Sequence, residues 1–151
     1  MNTDKSSEIS PYLWVGIGLQ KGSSCQLITK AIEKIFQENQ LNENAIAGLA
    51  TIDKKASESG LIELCCLRNF TLKTFSAEIL STVSVPNPTH IAANTMGTPS
   101  VAEASAILSA SHLSPLEIKL LVPKSIFRLP GEPRAVTIAV AAIRQFSSKN
   151  N

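Results

Sequence analysis

The stretch from Tyr12 to Phe36 constrains the fold of this chain more than any other. It opens with apolar and β-branched residues, Tyr12-Leu13-Trp14-Val15-Gly16-Ile17, which predict a buried strand. A glycine-punctuated loop follows, Gly16-Ile17-Gly18-Leu19-Gln20-Lys21-Gly22, and then Ser23-Ser24-Cys25-Gln26. Next, Ile28, Ala31, Ile32, Ile35 and Phe36 fall at i, i+3, i+4, i+7 and i+8, one apolar stripe of a helix. Ser23 and Gln26 stand at capping-box spacing and predict that the helix begins there. A strand, a flexible turn and a helix start in that order leave unpaired N–H groups and a positive dipole end facing outward. That geometry suits an anion. The same glycines also have a purely conformational explanation, since a short strand-to-helix turn often needs them. The pattern Gly-x-Gly-x-x-x-Gly is not the dinucleotide fingerprint, and no acidic residue follows at the end of the next strand to hold a ribose.

A chain of 151 residues is most simply one domain, long enough to bury a core. Apolar residues make up 44% of it and aromatics 5%, so that core is expected to consist of Ala, Ile, Leu and Val. The net charge of +2 and the scattered lysines and arginines argue against nucleic acid, and no apolar run is long enough for a membrane span. Residues 1–11 and 147–151 are polar and aperiodic and are expected to be disordered tails flanking a single domain over 12–146. Residues 1–10 carry no hydrophobic signal core. Cys25, Cys65 and Cys66 lack metal-ligand spacing; an odd count fits a reducing, cytoplasmic setting, and all three fall on predicted helices as small packed thiols.

Along the chain, Ala45 to Ile52 predicts a second strand, Asp53-Lys54-Lys55 a charged loop, and Glu58 to Arg68 a short helix. Thr71 to Phe75 predicts a third strand, after which Ser76 is placed to cap a turn through Leu80. Val85-Pro86-Asn87-Pro88-Thr89 excludes regular structure, because two prolines remove donors and restrict the residues before them. A short helix is expected over His90 to Met96. Ser100 and Glu103 form a second capping box, opening a helix with Val101, Ala104 and Leu108 as its buried stripe. Leu116 to Val122 and Ala135 to Ile143 predict the last two strands, with Pro123 to Arg134 a loop too short for a helix, so the pair is an antiparallel ribbon. The alternation predicts an α/β domain, a three-layer α/β/α arrangement with a mixed, mainly parallel sheet of about five strands. In such a sheet ligands bind where the carboxyl ends of the parallel strands gather. That edge collects Gly18 to Ser24, Thr51 to Lys55 and Phe75 to Glu78.

Five segments carry a resemblance. Gly16-Ile17-Gly18-x-x-Lys21-Gly22-Ser23-Ser24, Ala50-Thr51-Ile52-Asp53-x-Lys55, Phe75-Ser76-Ala77-Glu78, Val85-Pro86-Asn87-Pro88 and Gly97-Thr98-Pro99-Ser100-Val101-Ala102-Glu103-Ala104 stand in register. Together they resemble the C-terminal domain of the cobalamin-biosynthesis CbiG family (cobalt-precorrin-5A hydrolase) and its stand-alone CobE relative, over roughly residues 12–143. The resemblance implies work on a precorrin or cobalt-precorrin tetrapyrrole, with lactone opening and acetaldehyde release in the hydrolase and tetrapyrrole handling in the stand-alone relative. It implies no cofactor, cobalt entering only as part of the substrate. The hydrolase carries a further domain before this one, so a separate N-terminal hydrolase domain or other cobalamin-pathway enzymes are expected partners. Gln20-Lys21 stands where the family usually has two basic residues.

A precorrin is edged with carboxylates and needs several anion donors around a cleft. Gly16, Gly18, Lys21, Gly22, Ser23, Ser24, Thr51, Ser76, Glu78, Asn87 and Glu103 are the candidate substrate-binding residues. Lys54 and Lys124 are read first as solvated charges. Asp53 and Lys55 are the catalytic candidates, Asp53 as a general base or water-orienting group at the end of a buried strand. Asp53 is equally suited to capping the next turn, and Ser76, Glu78 and Glu103 to opening their helices. No metal site is expected, because His90 and His112 stand without partners at ligand spacing.

Overall fold

The computed structural model describes residues 12–83, 100–111 and 118–143. Strands β1 (Leu13–Leu19), β2 (Ile46–Ile52), β3 (Thr71–Phe75), β4 (Ile118–Arg128) and β5 (Ala135–Ile143) form one sheet in the order β3-β2-β1-β5-β4. β1 pairs parallel with β2, and β2 with β3, whereas β5 pairs antiparallel with both β1 and β4. A strand antiparallel to β5 runs the same way as β1. Four strands therefore point in one direction and β5 alone opposes them, which is the mixed, mainly parallel sheet the alternation predicts.

The period-2 pattern of β1 decides which helix lies on which face. Leu13, Val15, Ile17 and Leu19 join one buried cluster with the stripe of α1 (Cys25–Glu38) and with Leu61 and Leu64 of α2 (Ser59–Arg68). Six residues of α1 are buried there, Leu27, Ile28, Ala31, Ile32, Ile35 and Phe36. Each large aliphatic side chain so removed from water contributes about 2 kcal/mol. The intervening residues of β1, beginning with Trp14, face the opposite layer, where Ala106 and Ala110 of α4 (Val101–Ser111) pack with Ala141. A short helix, α3 (Ala77–Ser81), buries Leu80. Among the described residues no helix is long and apolar enough to cross a membrane.

Four details depart from expectation. Helix α1 is capped by Ser24, whose Oγ accepts from the Leu27 N–H at 3.0 Å, one residue later than the expected Ser23. Strand β4 continues through Pro123 to Arg128, where a loop was expected, with its register to β5 shifted between Val122 and Ser125. Proline removes one ladder donor, and the strand absorbs the break as an irregularity before pairing resumes. Helix α4 buries Ala102 to Ala106, Ser109 and Ala110; of the expected stripe Ala104 is buried, whereas Val101 and Leu108 are half-buried, because the sheet and α3 both press on the helix and turn a different side of it inward. Cys66 is exposed, and only Cys25 and Cys65 are partly covered. The expected helix over His90 to Met96, the proline segment with Asn87, His112 and both tails lie outside the described residues.

Candidate functional site

The order β3-β2-β1-β5-β4 places a switch between β1 and β4. The chain moves outward from β1 to β2 and β3, then returns across α4 to the other side. Ligands of open α/β sheets bind at such a point, beyond the strands' carboxyl ends. Here a cleft of about 350 Å³ opens, with Gly18, Leu19 and Gln20 at the end of β1 and Ile52 and Lys55 after β2. Val101 at the start of α4, Ile126 and Arg128 late in β4, and Ala135 and Thr137 early in β5 complete it. An adjoining lobe of about 240 Å³ shares Gly18, Val101, Ile126 and Thr137 and adds Ser100, Ala102 and Lys124.

The floor is apolar and flat. Gly18 pairs across the ladder with Thr137, and Thr137 with Ile126, so these three residues lie side by side on the α4 face. A Cβ built on Gly18 would meet only the Thr137 side chain, at 3.4 Å from its Cβ, which is ordinary contact. The rim is basic. Lys55, Lys124 and Arg128 line the two lobes, and among the described residues no acidic side chain does. The ion pairs among the described residues lie elsewhere, at Lys30–Glu33, Lys34–Glu38 and Arg68–Glu43. The Arg128 guanidinium makes a 3.3 Å hydrogen bond to the Pro133 carbonyl, which leaves its charge uncompensated. Three unpaired cations above an apolar floor are arranged for a ligand with anionic edges and an apolar body.

The expected anion grip at the α1 N-terminus is filled differently. The Gly22 N–H donates to Glu58 Oε1 at 2.9 Å, and Ser24 Oγ lies 3.3 Å from Glu132 Oε2. Ser23 is buried and its hydroxyl donates to the Gln20 carbonyl. Gly60 of α2 sits so close that an added Cβ would fall 2.2 Å from the Ser23 carbonyl oxygen. The chain's own carboxylates thus take the place of an anion there, and the open cleft lies beside that corner, toward β4 and β5. Lys21 is exposed, with its carbonyl accepting from Arg134 Nε.

The other candidates separate clearly. Lys55 and Gly18 come together in the cleft. Gly16 does not reach it, because the α4 backbone lies against that residue. Thr51 is fully buried and its Oγ1 donates to the Ile17 carbonyl at 2.7 Å, so it ties β2 to β1. Asp53 opens an exposed 3-10 turn and is not among the cleft residues; Ile52, not Asp53, occupies the cap position. Ser76 caps α3 through the Ile79 N–H, and Glu78 is exposed in that helix's first turn. Glu103 is fully buried and binds the Lys124 N–H instead of reaching back to Ser100; only the Ser100 Oγ half of that capping box forms. Asn87 lies outside the described residues. Arg128, Ile126 and Thr137 escaped the sequence reading. The alternation of Phe127 and Leu129 toward the core with Ile126 and Arg128 outward was the available signal.

No group of three or more His, Cys, Asp or Glu among the described residues is arranged to hold a metal ion. Burial pushes the Cys65 thiol up to about 11, assisted by Cys66 and Cys25. At pH 8 a thiol so raised is about one part in a thousand thiolate, the only reactive form. Cys65 is therefore expected to be alkylated far more slowly by iodoacetamide than exposed Cys66, its rate still rising tenfold per pH unit through pH 10. Peptide mass spectrometry of a time course checks this; equal labelling at pH 8 contradicts it.

Comparison with known proteins agrees with this architecture. The family model described as "Cobalamin synthesis G C-terminus" matches residues 13–141. The solved structure of CobE, a protein from the cobalamin biosynthetic pathway, superposes with a TM-score of 0.75 at 27% identity, covering 89% of this chain and 95% of that one. Cobalamin biosynthesis protein chiG from Agrobacterium tumefaciens superposes with a TM-score of 0.64, also at 27% identity, over 88% and 99% of the two chains. A cobalt-precorrin-5A hydrolase from Priestia megaterium is 29% identical over 96 residues, 64% of this chain. That stretch spans only 26% of the hydrolase's length.

Proposed function

The chain belongs to the cobalamin synthesis G C-terminus family, and so to cobalamin biosynthesis, and on that premise we propose that it binds a precorrin or cobalt-precorrin intermediate by its carboxylate edge. The observation that carries this reading is the basic-rimmed, apolar-floored cleft bounded by Lys55, Lys124 and Arg128. A corrin-type ring carries acetate and propionate side chains around a broad apolar face. The cations engage the former, and Gly18, Val101, Ile126 and Thr137 lie against the latter. Any cobalt arrives inside the ligand, and the work takes place in the cytoplasm.

The test is spectroscopic titration with cobyrinic acid, whose peripheral carboxylates are free, against its fully methyl-esterified form. The acid is expected to bind at least tenfold more tightly, since esterification removes every charge-assisted contact. Equal affinity for the two forms would defeat the reading.

A second reading, participation in lactone opening, is favoured by the sequence likeness to the Priestia megaterium hydrolase. Lys55 stands in the cleft for it, whereas Asp53 stands outside and would need to act through water. Acetaldehyde released from a lactone-bearing cobalt-precorrin by this chain alone supports the hydrolytic reading. Release only after addition of a hydrolase N-terminal domain assigns the chain the binding half, as a carrier or substrate-holding partner of other pathway enzymes.

A further inference from the structure

Helix α4 carries an ionisable side chain with no contact to solvent. Glu103 is 0% exposed, on the first turn of the helix whose N-terminal residues line the cleft. Its Oε2 accepts the Lys124 N–H at 2.9 Å, while Oε1 is buried with no hydrogen-bond partner among the described residues. A carboxylate kept out of water on half its acceptor capacity is costly, and hydrophobic residues of similar size would ordinarily be more stable there. Stability of the helix alone does not explain it. The reciprocal bond of a capping box, from Glu103 back to Ser100, is absent, and α4 is anchored through Ser100 Oγ on the Glu103 N–H.

What the carboxylate does hold is β4. At Pro123-Lys124 the strand loses its register with β5, between the pairs Val122–Val140 and Ser125–Ile138. Pro123 has no N–H, and the Lys124 N–H is bonded to a side chain from another layer in place of a strand neighbour. The irregularity decides which way the following residues face. Lys124 and Ile126 both line the cleft, with Phe127 turned to the core. A one-residue slip in a strand exchanges its faces. Any change that released the Lys124 amide would therefore move both the cation and the apolar rim at once.

We infer that Glu103 is a positioning residue for the ligand cleft, fixing the β4 irregularity so that the Lys124 ammonium meets the anionic edge of the ligand. The inference rests on the binding reading above and deepens it. Glu103 itself does not touch ligand; it acts through Lys124, and a carboxylate serves because the amide needs a strong acceptor reaching from the facing helix.

The experiment is a double-mutant cycle in cobyrinic acid affinity, with thermal melting as the fold control. Glu103→Gln keeps an acceptor for the Lys124 amide and is expected to bind within about twofold of wild type. Glu103→Ala is expected to bind about tenfold more weakly, the loss of one charge-assisted contact. Lys124→Ala is expected to show the same loss, and the double variant no more than either single. Additive losses, or an unchanged affinity in Glu103→Ala, would overturn the inference. Amide hydrogen exchange at Lys124 tests the same link without ligand. It is expected to be slow in wild type and Glu103→Gln and fast in Glu103→Ala; equal rates in all three also overturn it. Should wild type bind neither the acid nor its ester, the proposed ligand falls, and the exchange rates still decide the positioning role.

Discussion

Gly16→Ala is expected to destabilise the domain by about 3 kcal/mol or more, whereas Gly18→Ala, two residues along the same strand face, leaves stability within about 1 kcal/mol. The two glycines face the same helix layer for different reasons. A Cβ at Gly16 would fall 1.8 Å from the Ala102 carbonyl oxygen and 2.9 Å from the Ala106 amide nitrogen, both backbone atoms of α4. No rotamer change relieves such a clash; the helix must lift away from β1. Lifting it would open the contacts of Ala102, Ser105 and Ala106, all buried, and loosen Ser105 Oγ from the Ala50 carbonyl. At Gly18 the helix has already ended, and the added methyl would meet only Thr137 at van der Waals distance. It would stand instead on the floor of the cleft, so Gly18→Ala is expected to weaken ligand binding while melting like wild type. Calorimetric melting of both variants and corrinoid titration of the second check the pair. A Gly16→Ala protein as stable as wild type contradicts the helix placement.

That contrast also explains how much of the molecule could be read in advance. The segments from β1 to β3 were legible because each rests on a local period, and the α1 stripe from Ile28 to Phe36 is buried as expected. Gly16 and Gly18 look alike in one dimension; what separates them is the position of α4, some ninety residues away in the chain. Ser23 and Ser24 are chemically equivalent as caps. Burial of Ser23 beneath Gly60 and its bond to the Gln20 carbonyl leave Ser24 to do the capping. The glycine corner suggested an anion, and its geometry does attract carboxylates, but those of Glu58 and Glu132. Neither can be assigned to that corner without the fold.

The right-hand half of the site was hidden by one residue. Pro123 ends the alternation of Ile118 to Val122, so the remainder of β4 read as loop and Arg128 carried no special meaning. The continuation depends on Glu103 accepting the Lys124 amide, a contact spanning 21 residues. Local pattern cannot show a strand whose interruption is repaired from another layer. Lys55 was legible for the opposite reason: it follows directly on the end of β2, where topology alone directs attention.

The largest expected effect on binding comes from the cations themselves. Lys55→Ala combined with Arg128→Ala is expected to weaken cobyrinic acid binding about a hundredfold, each contact contributing about tenfold. Both residues line the larger lobe, one from each side of the β1 end, so they are placed to engage separate carboxylates of one ligand. Their salt dependence supplies a second readout. The wild-type affinity is expected to fall steeply as ionic strength rises to about 0.5 M, because partly solvated charges are screened. The double variant, having lost those contacts, is expected to show a much flatter dependence. Removing a lysine and an arginine also lowers the net charge, so the control is Lys30→Ala with Lys34→Ala. Those residues pair with Glu33 and Glu38 on the exposed side of α1, away from the cleft, and their loss is expected to leave affinity within about twofold. If the control pair weakens binding as much as Lys55 and Arg128 do, attraction is set by overall charge and the cleft does not recognise the ligand. If only the cleft pair matters and the ester binds equally poorly to all variants, carboxylate recognition at the end of β1 is the basis of binding.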